Sequence, residues 1–208
     1  MSAQSRDCIC KDLSLIVQRR SMSYQYDLDG QLALGSAAPN FSLPDTSGKI
    51  VNLADYKDKV RGLVVIFSCN HCPWVIKWED RMIELARMFE TKNVLFVCIS
   101  SNDVVKYPQD GPVEMAKRAK QKGYPFPYLY DATQEVAHNY GAQVTPHIYL
   151  FDDDMRLCYR GAIDDNPNEE LRPTQRYLKD AIETLLNKGS EQIKSSTTKP
   201  VGCSVKWK

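Results

Sequence analysis

Cys69 and Cys72 lie three residues apart in the segment FSCNHCPW (67–74), and they are the residues best suited to chemistry. Two thiols at this spacing can cycle between dithiol and disulfide, one attacking a disulfide and the other resolving the mixed disulfide. The same spacing occurs in half of a zinc site, and a single reactive thiol here could reduce a peroxide. The fourth alternative is that both cysteines are small apolar core residues.

The elements around the pair must place it at a strand-to-helix junction. The apolar run GLVVIFSC predicts a strand covered on both faces, and the pair stands where that strand stops. From Val75 apolar residues recur at helical spacing, and Pro73 suits the first turn of a helix. Because a helix N-terminus favours a thiolate, we expect a lowered pKa for Cys69, with Cys72 one turn deeper and placed to resolve the mixed disulfide.

The residues between the cysteines tune the pair. His71, if protonated, adds positive charge near Cys69, stabilises the reduced form and makes the disulfide more oxidising. The alternative for His71 is a solvent-facing turn residue, and Asn70 completes the polar turn. No Asp or Glu occurs from 59 through 68, so the strand leading to the pair supplies no carboxylate that could act as a buried proton acceptor.

Thiol-disulfide chemistry accounts for the pair better than its rivals. A structural zinc site needs four ligands, and the other close cysteine pair is Cys8 and Cys10, with no histidine pair at the usual spacing. Burial of both Cys69 and Cys72 by coincidence is disfavoured because the segment between them is polar. The chemistry requires no metal and no organic cofactor. The cysteines at 98 and 158 lie in apolar runs typical of strands, so we expect them to be small buried hydrophobes.

Composition argues against several classes of partner. Lys and Arg total 27 against 26 Asp and Glu, so a net charge of +1 disfavours nucleic acid or an anionic membrane surface. The longest apolar runs, 63–67 and 94–99, are too short to span a bilayer. The N-terminal residues do not resemble a secretory signal, so the predicted location is cytoplasmic, where the seven cysteines would not form a fixed disulfide scaffold.

Strands and helices alternate along the chain and predict an α/β fold. Two short extended pieces around an Asp-Thr-Ser-Gly turn predict an N-terminal β-hairpin, and the runs VTPHIYLFDDD and LCYRGAID predict a second one. Helical patterns separate the buried strands, and the last of them covers TQRYLKDAIETLLNKG. We therefore expect a central mixed sheet flanked by helices in residues 35–188, after a flexible extension over 1–34 and before a tail over 189–208.

Three segments resemble the thioredoxin superfamily, in the branch shared by AhpC/TSA-type peroxiredoxins and TlpA-like thiol oxidoreductases. They are GSAAPNFSLPDTSGKIVNLADYKDK, the unit of strand, CNHC and helix, and the downstream VTPHIYLFD. The resemblance implies a thioredoxin-like sandwich in which the bond between Thr145 and Pro146 is cis and lies against the cysteines, with adjacent backbone that pairs with a substrate chain. A closer match is to peroxiredoxin-like members that carry CNHCP, YRGAIDD and a GCSVKWK-type ending, all present here.

These observations favour a thiol-disulfide oxidoreductase in which Cys69 attacks and Cys72 resolves. Its expected partners are a disulfide-containing protein or low-molecular-weight thiol substrate and an external reductase. Peroxide reduction is an alternative, but aligning the peroxidase cysteine with Cys72 places Cys69 where Thr or Ser is expected and Val65 where Pro is expected, with Arg160 as the remaining candidate cation. A non-enzymatic binding module, whose cysteines act only as a redox switch, is the other alternative.

The C-terminal sequence VGCSVKWK adds a further cysteine beyond a flexible linker. One hypothesis is that this tail folds back over the cysteine pair, with Trp207 as its anchor and Cys203 close enough for disulfide exchange. The alternative is that the tail packs elsewhere and Cys203 is inert. His147, after Pro146, could modulate the thiols or satisfy a local hydrogen bond, and we expect His138 to be structural.

Overall fold

The computed structural model describes residues 30–168 and 173–208. Its elements in chain order are β1 (Ser42–Pro44), β2 (Ile50–Asn52), β3 (Gly62–Phe67), α1 (Pro73–Glu90), β4 (Val94–Ser100), α2 (Pro112–Lys122), β5 (Tyr128–Tyr130), α3 (Glu135–Tyr140), β6 (Val144–Thr145), β7 (His147–Phe151), β8 (Leu157–Gly161), α4 (Tyr177–Lys188) and β9 (Cys203–Ser204). The predictions about residues 1–29, including Cys8 and Cys10, lie outside the described residues. The domain boundaries stay predictions.

A five-stranded mixed sheet lies at the centre of the fold, in the order β5-β4-β3-β7-β8. β4 pairs in parallel with both β3 and β5, whereas β7 pairs antiparallel with both β3 and β8. Parallel neighbours need crossover connections, and α1 and α2 supply them. The expected α/β sandwich with a mixed sheet is confirmed, and β1 and β2 form the expected N-terminal hairpin.

Both faces of the sheet are covered, which explains the continuous apolar character of β3. All six residues of this strand are buried. Val64 and Ile66 pack into a cluster with residues of α1 and α4, whereas Leu63 and Val65 pack on the other side with residues of α3 and the first hairpin. Since successive side chains of a strand point to opposite faces, a strand covered on both sides must be apolar at every position.

Local sequence sets the ends of the helices. Pro73 lies in the first turn of α1, where a missing N–H breaks no helical hydrogen bond. Gly123 and Gly141 end α2 and α3 in the left-handed conformation, with φ of 64° and 63°. A β-carbon at position 141 would also lie 2.3 Å from the carbonyl oxygen of Gly30. Among the helices in the described ranges, none is both long and apolar enough to cross a bilayer.

The C-terminal residues return to the sheet domain as a short strand. β9 pairs antiparallel with β6, directly before Pro146. Val205 continues the pairing by donating its N–H to the carbonyl oxygen of Gln143 at 2.9 Å. The tail therefore lies beside β6, the strand whose Thr145 also contacts the cysteine pair.

Candidate active site

The cysteine pair lies between the end of β3 and the start of α1. β3 ends at Phe67, α1 begins at Pro73, and the residues between them are not helical. Cys72 is the N-cap of α1, with φ −67° and ψ 120°. The expectation that Cys69 stands at the helix N-terminus with Cys72 one turn deeper is wrong, because the helix begins only after Cys72.

Pro73 sets the start of α1, and Asp110 holds the turn before it. A residue that precedes proline is disfavoured in the helical region, and Cys72 is extended, so the helix begins at Pro73. The buried carboxylate of Asp110 accepts the backbone N–H of Asn70 at 2.8 Å and that of His71 at 3.2 Å through one oxygen, Oδ1. The residues between the cysteines therefore form a separate turn, and Cys72 takes the capping position.

Asp110 is also a candidate functional residue that the sequence did not reveal. The Sγ of Cys69, a ring nitrogen of His71 and a carboxylate oxygen of Asp110 all lie within 4.8 Å of one another. A buried carboxylate at this distance can take up the proton of a thiol through one bridging water. The strand that leads to the pair carries no carboxylate, whereas that of Asp110 comes from a turn after β4. The segment YPQDGP signals that turn, but nothing in it signals its position against the cysteines.

His71 and Asn70 are held in place by this network. The Nδ1 of His71 lies 2.6 Å from the Oδ2 of Asp110, and its ring stacks on Tyr107 with centroids 5.2 Å apart and an interplanar angle of 5°. Asn70 accepts a hydrogen bond at its Oδ1 from the hydroxyl of Tyr128 at 3.2 Å. His71 is therefore an oriented, partly exposed ring rather than a free turn residue.

Thr145 contacts both sulfurs of the pair. Its Oγ1 lies 3.4 Å from the Sγ of Cys69, and its carbonyl oxygen accepts a hydrogen bond from the Cys72 thiol at 3.0 Å. The Thr145–Pro146 bond is cis, as the resemblance implied. The two cysteines are free thiols, hydrogen-bonded to each other and exposed by only 1% and 0%. The pair is thus within reach of disulfide formation and covered from solvent.

The local environment favours a thiolate at Cys72 rather than at Cys69. A hydrogen bond from the Cys69 side chain, together with the nearby N–H of Val75 and the thiol and N–H of Cys203, lowers the pKa of Cys72 to about 5 despite its burial. The hydrogen bond to Cys72, burial and the negative charge of Asp110 raise the pKa of Cys69. The carbonyl oxygen of Thr145 favours the protonated thiol of Cys72 because it accepts a hydrogen bond from that thiol. The several donors to the same sulfur outweigh this single acceptor. The predicted low pKa at Cys69 is therefore wrong.

A metal could bind here only by breaking existing hydrogen bonds. Cys69, His71 and Asp110 could supply three ligand atoms. The His71 nitrogen is already paired with Asp110, whose Oδ2 also accepts a hydrogen bond from the side chain of Asn102 at 2.8 Å. Structural zinc sites are usually closed by four ligands, whereas His71 and Asp110 are already paired and Cys69 hydrogen-bonds with Cys72 and Thr145. The arrangement fits a hydrogen-bond network better than a metal centre.

The tail lies directly against the pair. The register of β9 on β6 sets Cys203 opposite Thr145, and the thiol and backbone N–H of Cys203 hydrogen-bond with the sulfur of Cys72. Trp207 lies further along the tail and stacks on His138 in α3, with centroids 4.1 Å apart and an interplanar angle of 17°. Trp207 therefore anchors the tail on α3 and not over the cysteines, and His138 has the expected structural contact.

The other residues singled out in the sequence have structural partners of their own. Burial, and secondarily the charge of Arg160, lowers the pKa of His147 to about 3, so its ring is neutral and supplies no positive charge to the thiols. Arg160 donates a hydrogen bond to the carbonyl oxygen of Leu32. Cys98 and Cys158 are buried, as predicted, and burial raises the pKa of both thiols, to about 12 in Cys158.

Comparison with known proteins gives these features a family context. A family model described as "AhpC/TSA family" matches residues 34–160. The thiol-disulfide oxidoreductase ResA from Bacillus thuringiensis (strain Al Hakam) is 26% identical over 149 residues, which are 72% of this chain and 79% of that protein.

Two solved structures illustrate the similarity in fold. An uncharacterized conserved protein from Geobacillus kaustophilus is 42% identical, with a TM-score of 0.79 over 85% of this chain and 93% of that one. The thioredoxin domain of a thiol-disulfide oxidoreductase from Bacteroides vulgatus is 22% identical, with a TM-score of 0.56 over 76% of this chain and 100% of that one. The second similarity shows a thioredoxin-like fold, in agreement with the mixed sheet described above.

Proposed function

The chain belongs to the AhpC/TSA family, and on this premise we propose that it is a thiol-disulfide oxidoreductase whose reacting groups are Cys69 and Cys72. One observation carries the proposal: two mutually hydrogen-bonded thiols lie at the N-terminus of α1, beside Thr145 and the buried carboxylate of Asp110. The similarity to ResA, a thiol-disulfide oxidoreductase, supports the same chemistry. The reaction needs no metal and no organic cofactor.

In the first step the Cys72 thiolate attacks one sulfur of a substrate disulfide. A bond forms between the Sγ of Cys72 and that sulfur, the substrate S–S bond breaks, and the other substrate sulfur leaves with the electron pair and takes up a proton. This order reverses the sequence-based assignment, in which Cys69 attacks. Two observations support the reversal: the pKa of Cys72 is the lowered one, and the cysteine of the paired tail strand, Cys203, lies against Cys72.

In the second step Cys69 resolves the mixed disulfide. Its thiol gives a proton to Asp110 through one bridging water, and the resulting thiolate attacks the Sγ of Cys72 and releases the second substrate sulfur as a thiolate. The substrate has gained two electrons and the pair has become a Cys69–Cys72 disulfide. An external dithiol reductase then restores the pair by the same exchange in reverse.

The proposed substrates are protein disulfides or low-molecular-weight disulfides met in the cytoplasm. An extended substrate chain would have to displace the tail strand from β6 before it could reach Cys72, because β9 occupies that edge. Proteins with flexible, exposed disulfide segments suit this requirement better than rigid ones.

Insulin reduction with dithiothreitol as the terminal reductant tests the function. Wild type should accelerate reduction with multiple turnovers, whereas Cys69→Ser and Cys72→Ser should show only the uncatalysed rate. Cys158→Ser is the matched control, because that buried cysteine lies on β8 outside the pair, and it should retain turnover. Equal rates in Cys72→Ser and wild type would refute the mechanism. Redox-dependent partner binding without turnover would favour the non-enzymatic switch.

Peroxide reduction is a second candidate, and one observation favours it. The sulfur with the lowered pKa is Cys72, the position that aligns with the peroxidase cysteine. In that reaction the Cys72 thiolate would attack a peroxide oxygen to give a sulfenic acid and water or an alcohol, and Cys69 would condense with it to the same disulfide. Peroxide consumption coupled to dithiothreitol separates the two candidates, since a disulfide exchanger would consume insulin disulfides far faster than peroxide.

A further inference from the structure

We propose that Cys203 is a third redox-active thiol, which accepts the disulfide of the active pair by bonding to Cys72. This inference rests on the proposed function, because the disulfide that it receives is the one formed during substrate reduction. It assigns the tail a chemical role in addition to a structural one.

The register of the tail strand brings Cys203 to the reacting sulfur. Cys203 pairs with Thr145 and Ser204 with Val144 across the antiparallel ladder of β9 and β6. Thr145 is the residue whose carbonyl oxygen lies 3.0 Å from the Sγ of Cys72. The side chain and N–H of Cys203 both hydrogen-bond with that same sulfur. Cys203 therefore approaches Cys72 as a neighbour in a paired strand.

Specific contacts on the far side of Cys203 hold the strand in this register. The carbonyl oxygen of Lys206 accepts the N–H of Asp103 at 2.8 Å and the side-chain amide of Gln134 at 2.9 Å. The N–H of Lys206 donates to the Oδ1 of Asn102 at 2.9 Å, and the N–H of Lys208 donates to Gln134 at 2.9 Å. Because these bonds already restrict the conformational freedom of the tail before any reaction, the thiol of Cys203 is present at a high effective concentration beside Cys72.

The exchange itself is balanced without any further oxidant. When the pair is a Cys69–Cys72 disulfide, the Cys203 thiol loses a proton to solvent and its thiolate attacks the Sγ of Cys72. A Cys72–Cys203 bond forms, the Cys69–Cys72 bond breaks, and Cys69 leaves as a thiolate that takes up a proton. The protein as a whole is neither oxidised nor reduced, and Cys69 returns to the thiol state.

Oxidation of the pair favours this attack. In the reduced protein, burial, the hydrogen bond to Cys72 and the charge of Cys72 raise the pKa of Cys203 to about 12, against the opposing charge of Lys206. In the disulfide, Cys72 carries no charge, so the Coulombic effect that disfavours a Cys203 thiolate disappears while Lys206 remains. Cys203 is therefore a protonated, unreactive thiol in the reduced protein and becomes a better nucleophile after the pair has been oxidised.

Mass mapping of the oxidised full-length chain tests the proposal. Trypsin cuts after Arg61, Lys77, Lys194 and Lys206, so Cys69 and Cys72 fall in one peptide and Cys203 in another. Each protein would be treated with one equivalent of diamide, a two-electron dithiol oxidant, then quenched with N-ethylmaleimide in acid and digested. The bridge between peptides 62–77 and 195–206 is the species to quantify.

The inference predicts this bridge as a minor species in wild type, the main disulfide product in Cys69→Ser and a product reduced at least about tenfold in Cys72→Ser. The excess of this bridge in Cys69→Ser should vanish in denaturing urea, because the fold brings the two thiols together. If Cys69→Ser unfolds thermally like wild type but forms no bridge, the proposal that Cys203 is redox-active would be overturned. If wild type still turned over insulin in that case, the proposed function would stand; a bridge without any turnover would refute the function and not the contact.

Discussion

Gly202 lies so close to Thr145 that a β-carbon at position 202 would sit 2.4 Å from the Thr145 carbonyl oxygen and 2.8 Å from its carbonyl carbon. A side chain at position 202 would clash with backbone that also holds the Cys72 thiol. The tail strand can approach β6 because this residue is glycine. The contact between Cys203 and Cys72 depends on the same approach.

Substitution Gly202→Ala should release the tail strand. Overpacking of this kind typically costs about 1–3 kcal/mol, and about 1.4 kcal/mol is a tenfold change in an equilibrium constant. The rate of Cys203 alkylation by iodoacetamide should therefore rise by about tenfold. Val201→Ala changes an exposed neighbour without the clash and serves as the control. Equal alkylation of wild type and Gly202→Ala would show that the tail is not held closed by this contact.

Substitution Asp110→Asn should slow resolution of the mixed disulfide. The carboxylate is the proposed proton acceptor for Cys69, and general-base catalysis contributes typically about 100-fold or more. Stopped-flow quenching should show accumulation of the mixed disulfide, with a resolution rate that now rises steeply with pH because solvent must take the proton. Asp103→Asn, a carboxylate paired with Lys106 instead, should leave resolution unchanged. Resolution at the wild-type rate in Asp110→Asn would remove Asp110 from the mechanism.

The reduction potential of the pair should depend weakly on pH near neutrality. Because the pKa of Cys72 is about 5 and that of Cys69 is raised, the reduced pair holds one proton above about pH 5. One proton for two electrons lowers the potential by about 30 mV per pH unit, and two protons would lower it by about twice that. Redox titration against dithiothreitol between pH 6 and pH 8 measures the slope, and the two-proton value there would contradict a thiolate in the pair.

His147 should make the protein less stable in acid. Its pKa in the folded protein is about 3, below the value of about 6.5 for an unperturbed histidine, so between these values the unfolded chain binds the extra proton. Stability is therefore lost as pH falls through this window, by up to about 1.4 kcal/mol per pH unit. Urea unfolding of His147→Gln should show a smaller loss of stability than wild type as the pH falls. Identical pH profiles of His147→Gln and wild type would contradict the assignment.

The alternation of apolar runs and helical patterns was sufficient to predict the sheet, its helices and the junction at the cysteines. Burial on both faces makes β3 apolar at every position, and glycines at 123 and 141 mark helix ends, so these features are local in sequence. The cap at Cys72 is local as well, because Pro73 disfavours the helical conformation of the residue before it. The position of Asp110 against the N–H groups of Asn70 and His71 is a tertiary contact that no local pattern indicates.

The position of the tail could not be predicted from local sequence patterns either. Its sequence predicted a third thiol with Trp207 as an aromatic anchor. The position of Trp207 depends on its stacking with His138 of α3, a residue far from the tail in sequence. The register of Cys203 depends on the close approach at Gly202, which has no signature beyond the glycine itself. Contacts between segments far apart in sequence add to the local hydrogen bonds of Cys69 and Val75 in lowering the pKa of Cys72.

Each step of the proposed reaction requires that Cys72, and not Cys69, carries the charge and bonds to the substrate sulfur. The most direct test of this requirement is the rate at which dithiobis(nitrobenzoate) modifies peptide 62–77 in Cys69→Ser and in Cys72→Ser at about pH 6, where an ordinary thiol is almost fully protonated. The serine hydroxyl introduced by Cys69→Ser can still donate a hydrogen bond to Cys72. We predict modification at least about tenfold faster in Cys69→Ser than in Cys72→Ser. Faster modification in Cys72→Ser would return the attacking role to Cys69 and contradict the account.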